Sequence, residues 1–321
     1  MQPRISTLMA DFGTAENVPN GARVRARPLE FGLRVTTLAA GERFEASRLL
    51  ASSREQHVML FHCGPGSLLS VGGGLCGLLS PLRGKLSVCD GGSQVLLQDK
   101  VVYVSDTNRP YELAVPHGGR AIALVAAQAV WLGILGDTGL SGGTVLFPAV
   151  HDVGTPGRRA LVACLRESLG RDAAARKAQI LSRLSAFVHG LQRGYDDYIE
   201  RCPGRTLARR RNAFLRLQRA RLHIALNNGK HIDVSTLANI ANYSMWQFIK
   251  LFRRVFGVTP YAFLSNYRVD VAKSLLASEN LSVADVAAFA GFASRSAFAR
   301  TMKKTTGNTA TALRVANLRG G

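Results

Sequence analysis

Hydrophobic and polar positions along this chain fall into distinct textures. From Pro28 to Ala149, short apolar runs alternate with Gly, Pro, Asp and Asn; they cover residues 33–38, 56–61, 84–89, 94–98, 101–104, 111–115 and 121–125. Runs of this length, rich in Val, Leu and Tyr and bounded by turn formers, predict β-strands. Asp90-Gly91-Gly92 between two of them signals a hairpin. Evenly spaced strands joined by turns predict a β-barrel or jelly roll over residues 28–150. Residues 1–27 carry little pattern and read as a loose arm.

Beyond residue 150 the period changes to that of a helix. Leu161, Cys164, Leu165 and Leu169 make one stripe; Ile180, Leu184, Phe187, Val188 and Leu191 make a second, with Tyr195 and Tyr198 beyond it. The spacing predicts two successive amphipathic helices within residues 156–200. They either pack on the barrel or form a homodimer interface. Pro203-Gly204 punctuates a linker that ends segment 151–204. A helix from Leu207 to Leu226 then opens a third segment, 205–321, with Arg209, Arg210 and Arg211 on its first turns.

Inside this last segment one unit is written twice. Phe248 matches Phe298, Phe252 matches Met302 and Gly257 matches Gly307 at an offset of 50. Ala238 matches Ala287, and Asn242-Tyr243 matches Gly291-Phe292, at an offset of 49. The one-residue slip falls between Tyr243 and Ser244, so the length change sits in a turn, as expected of an internal repeat. Each copy reads as helix, tight turn, helix: residues 234–257 in the first and 282–307 in the second, with a helix over 260–277 between them. Asn242 and Gly291 tolerate the left-handed backbone of such a turn. Ser244 and Ser294 stand at N-cap positions and Gly257 and Gly307 at C-terminal stops. Ser282 with Asp285 resembles a capping box.

The polar face of each second helix carries the candidate chemistry. Over residues 244–256 it offers Met245, Trp246, Ile249, Lys250, Arg253 and Arg254; over 294–305 it offers Arg295, Ser296, Ala299, Arg300, Lys303 and Lys304. A helix of this size fits the major groove of double-stranded DNA, its early side chains at base edges and its later basic ones near phosphates. Charge changes the picture in the same direction. The chain carries 41 Lys and Arg against 21 Asp and Glu, a net +20. Residues 205–321 hold 19 of the basic and 4 of the acidic residues, so the excess sits on the repeat, where phosphate neutralisation needs it. The basic helices lack the wide apolar face of a membrane-surface helix, and no apolar run is long enough to span a bilayer.

The last ~100 residues resemble the DNA-binding domain of AraC/XylS-family transcription regulators. The resemblance rests on Leu237-Ala238, Ser244, Phe248, Phe252, Gly257-Val258-Thr259-Pro260, Tyr261, Arg268, Ala272, Leu275-Leu276, Ala287, Gly291-Phe292, Phe298 and Gly307. It implies two helix-turn-helix units joined by a long helix, an activator more than a repressor, and RNA polymerase as a partner. Two departures stand out. Gly307-Asn308-Thr309-Ala310 lacks the proline and the later tyrosine customary there, which predicts a less rigidly docked last helix, and Met302 replaces a customary Phe. More weakly, residues 78–88 and 104–113 resemble the sensing domain that accompanies the family, implying a cupin-like barrel for a small organic effector or a partner subunit. The expected fold is therefore α+β and multidomain, a cupin-like β-barrel or jelly roll with following helices and an all-α C-terminal domain.

Other chemistry finds less support. His57, His62, His117 and His151 are scattered without a His-x-His, and Gly72-Gly73-Gly74 lacks the Lys of a phosphate loop, so no metal, cofactor or catalytic residue is predicted. Arg109 and Arg120 are candidates to pair with an effector carboxylate, against the plainer reading of two loop arginines. Five widely spaced cysteines without CxxC suit a reduced, cytoplasmic protein. A redox sensor built on Cys63, Cys76 and Cys89 is an alternative. A DNA-alkylation repair methyltransferase is a remoter one: His62-Cys63 is the adjacent pair, but the Pro-Cys-His-Arg phrase of those enzymes is absent.

Overall fold

The computed structural model describes residues 32–46, 57–107, 109–134, 146–227, 232–276 and 281–319. The arm predicted over residues 1–27 lies outside them. The chain divides between Leu215 and Arg216 into two compact units.

The first unit is built on two sheets. One holds six strands in the order β1 (Gly32–Leu38), β3 (His57–Cys63), β10 (Arg120–Ala127), β5 (Leu75–Arg83), β8 (Val101–Val104) and β11 (Ala149–Asp152). The other holds five, in the order β2 (Arg43–Glu45), β4 (Leu68–Val71), β9 (Tyr111–Ala114), β6 (Leu86–Asp90) and β7 (Ser93–Leu97). The β1–β3 and β2–β4 pairs are parallel and the rest antiparallel. The predicted hairpin is present: Asp90 faces Ser93 across a turn in which Gly91 (φ 56°) and Gly92 (φ 82°) are both left-handed, the backbone a type I′ turn requires.

This corrects the barrel alternative of the barrel-or-jelly-roll expectation. Among the described residues the strands form two separate sheets and no ladder joins them into a barrel. The sheets are tied through their interior instead. Tyr103 of the first donates its phenol O–H to the Asp90 carboxylate of the second, and both side chains are buried. Gly77 leaves room for the second sheet: a Cβ there would lie 2.0 Å from the Tyr111 hydroxyl. The Ser105 hydroxyl accepts from the Gly77 N–H at 2.9 Å, and the Cys76 thiol donates to the Ser105 carbonyl at 3.2 Å.

Four helices follow or flank these sheets: α1 (Gln128–Ile134), α2 (Gly154–Leu169), α3 (Ala173–Arg193) and α4 (Asp196–Arg201). Two helices were expected in residues 156–200, and the third, α4, is a short turn after Gly194. The predicted stripes are consumed by the unit's own core. Leu161 and Leu165 of α2, and Leu184, Val188 and Leu191 of α3, are buried in one cluster with Leu60, Leu78, Leu124 and Trp131. Leu169 departs from its stripe and is 49% exposed, because the helix ends there. The indole N–H of Trp131 donates to the Cys76 carbonyl at 3.0 Å, fixing α1 to β5.

Helix α5 (Leu207–Leu226) matches its predicted bounds. Within the first unit its Phe214 is fully buried among Phe147, Tyr195 and Tyr198, and the Arg211 guanidinium lies 4.9 Å from the Phe147 ring.

The second unit is all helical: α6 (Val234–Ile240), α7 (Met245–Phe256), α8 (Pro260–Leu276), α9 (Val283–Phe289), α10 (Arg295–Thr306) and α11 (Ala310–Arg319). Helix α8 is its spine, since α7, α9, α10 and α11 all pack on it. It buries Leu264, Tyr267, Val271, Ala272, Leu275 and Leu276. The Tyr267 hydroxyl donates to the Ala225 carbonyl at 3.0 Å, and the buried Arg221 guanidinium lies 4.6 Å from the Phe256 ring and 5.5 Å from that of Phe263. These contacts hold the last turns of α5 within the unit. Helix α11 forms without the customary proline. The Thr309 hydroxyl accepts from the Ala312 N–H at 3.2 Å as a cap, and the Arg314 guanidinium donates to the Leu281 carbonyl at 2.7 Å.

Candidate nucleic-acid interface

The two repeats fold as two helix-turn-helix units, α6–α7 and α9–α10, and equivalent residues make equivalent bonds. In the first turn the Tyr243 N–H donates to the Ala238 carbonyl and the Asn242 N–H to that of Asn239; in the second, Phe292 donates to Ala287 and Gly291 to Ala288. All four bonds are 3.0 Å long. Asn242 (φ 54°) and Gly291 (φ 81°) carry the left-handed step. The residue by which the repeats differ, Ala293, is an exposed extra link before the Ser294 cap, so both second helices leave their turns from the same frame.

Local chemistry fixes where each second helix starts and stops. The Ser244 hydroxyl accepts from the Gln247 N–H at 3.4 Å while the Gln247 amide oxygen accepts from the Ser244 N–H at 3.4 Å, a capping box. The Ser294 hydroxyl accepts from the Ala297 N–H at 3.2 Å. At the other ends Gly257 (φ 76°) and Gly307 (φ 74°) turn left-handed, and their N–H groups return to the carbonyls of Arg253 and Lys303. The Ser282–Asp285 box is also present, with Asp285 N–H to Ser282 Oγ and Ser282 N–H to Asp285 Oδ2 both at 3.1 Å. Those Ser282 hydrogen bonds hold the Asp285 carboxyl below its usual range, and the nearby Arg295 charge adds to the effect.

The inward faces are aromatic and apolar. Phe248, Phe252 and Val255 of α7 and Phe298 and Met302 of α10 are buried. Phe252 packs against Phe248, Phe256 and Phe263 at ring distances of 5.4, 4.5 and 5.6 Å. With these faces committed to the core, the opposite faces point outward. All twelve residues predicted to meet DNA are exposed: Met245, Trp246, Ile249, Lys250, Arg253 and Arg254 on α7, and Arg295, Ser296, Ala299, Arg300, Lys303 and Lys304 on α10. The structure thus brings each set together on one helix face. Trp246 is 70% exposed and Met245 55%, adjacent on the first turn of α7. The Lys250 ammonium rests 4.9 Å from the Trp246 ring centroid, one helical turn away.

Two features escaped the sequence reading. The Gln247 half of the first capping box was legible in Ser-x-x-Gln but went unread. The stacking of Arg216 on Tyr243, 5.4 Å apart, joins residues too distant in sequence for any local pattern to reveal.

The sensing-domain candidates lie apart from one another. Arg109 is exposed beside the Asp90–Ser93 hairpin, where a Cβ on Gly91 would meet its guanidinium at 3.1 Å. Arg120 is exposed at the start of β10, and its charge, after burial, helps push the His62 pKa down. The three candidate redox cysteines are not alike. Burial pushes the Cys63 and Cys76 thiols up to about 12, which keeps them protonated, whereas Cys89 is exposed. All five cysteines are free thiols. Among the described residues no three His, Cys, Asp or Glu gather as a metal site, and no helix is long and apolar enough to cross a membrane.

Comparison with known proteins agrees with this geometry. The profile of a helix-turn-helix domain family matches residues 237–316. The probable transcriptional regulator LumQ of Photobacterium leiognathi is 33% identical over 75 residues, 23% of this chain and 30% of LumQ. The RCS-specific transcriptional activator RclR of Escherichia coli K12 is 42% identical over 65 residues, 20% of this chain and 23% of RclR. In both, the match spans less than a third of the relative's length. The probable transcription factor PqrA of Proteus vulgaris is 30% identical over 83 residues, 26% of this chain and 68% of PqrA. With paired helix-turn-helix units, exposed basic faces and these relatives, the chain belongs to the AraC/XylS family of transcriptional regulators.

Proposed function

We propose that the chain is a sequence-specific transcription regulator that places α7 and α10 in two successive major grooves of double-stranded DNA. The observation that carries this reading is the repeated geometry. Two helices, each started by a serine N-cap and stopped by a left-handed glycine, present basic faces from one helical unit, joined by α8. At 17 residues α8 is about 25 Å long, commensurate with the ~34 Å that separates successive grooves on one face of DNA. Met245, Trp246, Ile249, Lys250, Arg295, Ser296, Ala299 and Arg300 would meet base edges, and Arg253, Arg254, Lys303 and Lys304 the phosphates.

In this reading the β unit, a cupin-like jelly roll, receives a small organic effector or a partner subunit, and RNA polymerase is the partner of an activator. RclR, a named activator, supports that last point for a relative. Arg109 and Arg120 remain the candidates to meet an effector carboxylate. A homodimer through residues 156–200 would have to use the faces of α2 and α3 left outside the core. The basic excess of the helical segment and its 19 Lys and Arg support a polyanionic partner.

Selection of the full chain on a random duplex pool across a salt series tests the proposal. Enrichment of two short blocks about one helical turn apart supports it. A steep salt dependence with no enriched sequence would mean that the basic faces bind DNA without reading it, and the proposal fails.

A further inference from the structure

We infer that the two halves of the DNA site differ in chemistry: the block under α7 is read through thymine methyl groups, and the block under α10 through guanine. The inference rests on the two-groove reading above and adds to it what each helix can recognise.

Helix α7 leads with apolar surface. Met245, Trp246 and Ile249 are exposed side by side on its first two turns, at 55%, 70% and 37%. Its polar side chains on those turns are already engaged. Gln247 would read adenine by offering its amide oxygen to N6 and its amide N–H to N7. Here that oxygen is taken by the Ser244 N–H at 3.4 Å and the Ser244 hydroxyl at 3.1 Å, inside the capping box that starts the helix. Freeing it would undo the cap. The Lys250 ammonium rests over the Trp246 ring. A leading face of Met, Trp and Ile offers neither the paired donors that read O6 and N7 of guanine nor the acceptor and donor that read N6 and N7 of adenine. What it can recognise in a major groove is the one apolar group displayed there, the C5 methyl of thymine.

Helix α10 is built the other way. Its equivalent turns carry Arg295, Ser296, Ala299 and Arg300, all exposed and none a large hydrophobe. Two guanidinium forks one to two turns apart are suited to O6 and N7 of guanine. Arg295 lies close enough to the Asp285 carboxylate, at the start of the preceding helix, for its charge to help lower that carboxyl's pKa. Ser296 has its hydroxyl 3.1 Å from that of Ser294. One unit is therefore dressed for methyl groups and the other for hydrogen-bond acceptors, although the two share one backbone.

The test uses the full chain and the duplexes it selects from a random pool. Arg300→Ala identifies the α10 block as the one whose base preference it relaxes. The other block is then synthesised with uracil in place of thymine, which removes the methyl and leaves every hydrogen bond. The expected result is a thymine-bearing α7 block in which each contacted methyl is worth about fourfold in affinity, the size of one buried methyl. Ile249→Ala or Met245→Ala should abolish part of that uracil sensitivity without changing the α10 block. An enriched α7 block of G·C pairs, or one indifferent to uracil, would overturn the inference and leave the two-groove reading standing. A pool in which no sequence is enriched would overturn the reading itself, and the inference with it.

Discussion

Asn242 and Gly291 occupy the same backbone position in the two helix-turn-helix units, 49 residues apart, at φ 54° and 81°. Each turns the chain left-handed between two helices, and each gives its N–H to a carbonyl three residues back. Glycine adopts that conformation freely, asparagine tolerates it, and alanine does not. Gly291→Ala and Asn242→Ala should therefore each cost about 1 kcal/mol, while Asn242→Gly should be neutral or slightly stabilising. Denaturant unfolding followed by circular dichroism measures this. If both alanine variants unfolded like the parent chain, the turns would not carry the strain assigned to them.

Base reading and phosphate binding are expected to separate on α10. Arg300→Ala should cost about 1–3 kcal/mol on the selected site and relax preference at one position. Lys304→Ala should weaken all duplexes alike and lower the salt slope by about 1. Competition binding against mutated and random duplexes distinguishes the two. Equal losses on specific and non-specific DNA for both variants would place Arg300 on phosphate.

The bond between Tyr103 and Asp90 predicts a pH dependence in the β unit. Burial raises the Asp90 carboxyl above its ordinary 3.8, with the Tyr103 hydrogen bond and Arg109 pulling back and Asp106 pushing further up. A folded pKa above the unfolded one means that the native state holds the proton more tightly. Its contribution is then complete below pH 3.8 and lost as pH rises through the folded value. Asp90→Asn keeps an acceptor for Tyr103 and removes the charge. Its melting temperature should gain on the parent's as pH rises from about 4 to about 7. Two melting curves that stay parallel over that range would show Asp90 to be unperturbed.

Thiol accessibility gives a fourth expectation. Cys63, Cys76, Cys164 and Cys202 are buried and Cys89 is exposed. A maleimide added to the native chain should label Cys89 first, and the others only as the chain unfolds; mass spectrometry of peptides reads the order. Rapid native labelling of Cys63 or Cys76 would restore the case for a thiol sensor in the β unit.

The helical unit was far more legible in the sequence than the β unit. Helix signals are local. The 3.6-residue spacing of Phe248, Phe252 and Val255, the caps at Ser244 and Ser294 and the stops at Gly257 and Gly307 all lie within a few residues of what they control. The sheets depend on partners far away. Strand β5 escaped the strand pattern because its first seven residues are buried, leaving no alternation, and because it contains Gly77 and Pro81. Gly77 is needed there only because Tyr111, 34 residues on, crosses over it. Strand β2, at three residues, is too short to show a period, and β11 pairs with Val101–Val104 nearly 50 residues earlier. At the candidate interface the exposed residues were legible as the polar side of two stripes. That Gln247 is spent on a cap rather than on DNA was not, since both roles suit the same residue.

The most direct test of the central claim is base-by-base interference on the full chain bound to its selected duplex, with guanine N7 methylation and thymine removal mapped on both strands. Two patches of major-groove contact centred about 10 base pairs apart on one face of the helix are predicted, one weakened by Ile249→Ala and the other by Arg300→Ala. A single patch, or one patch lost with both variants, would mean that only one of the two units reads DNA and would contradict the account.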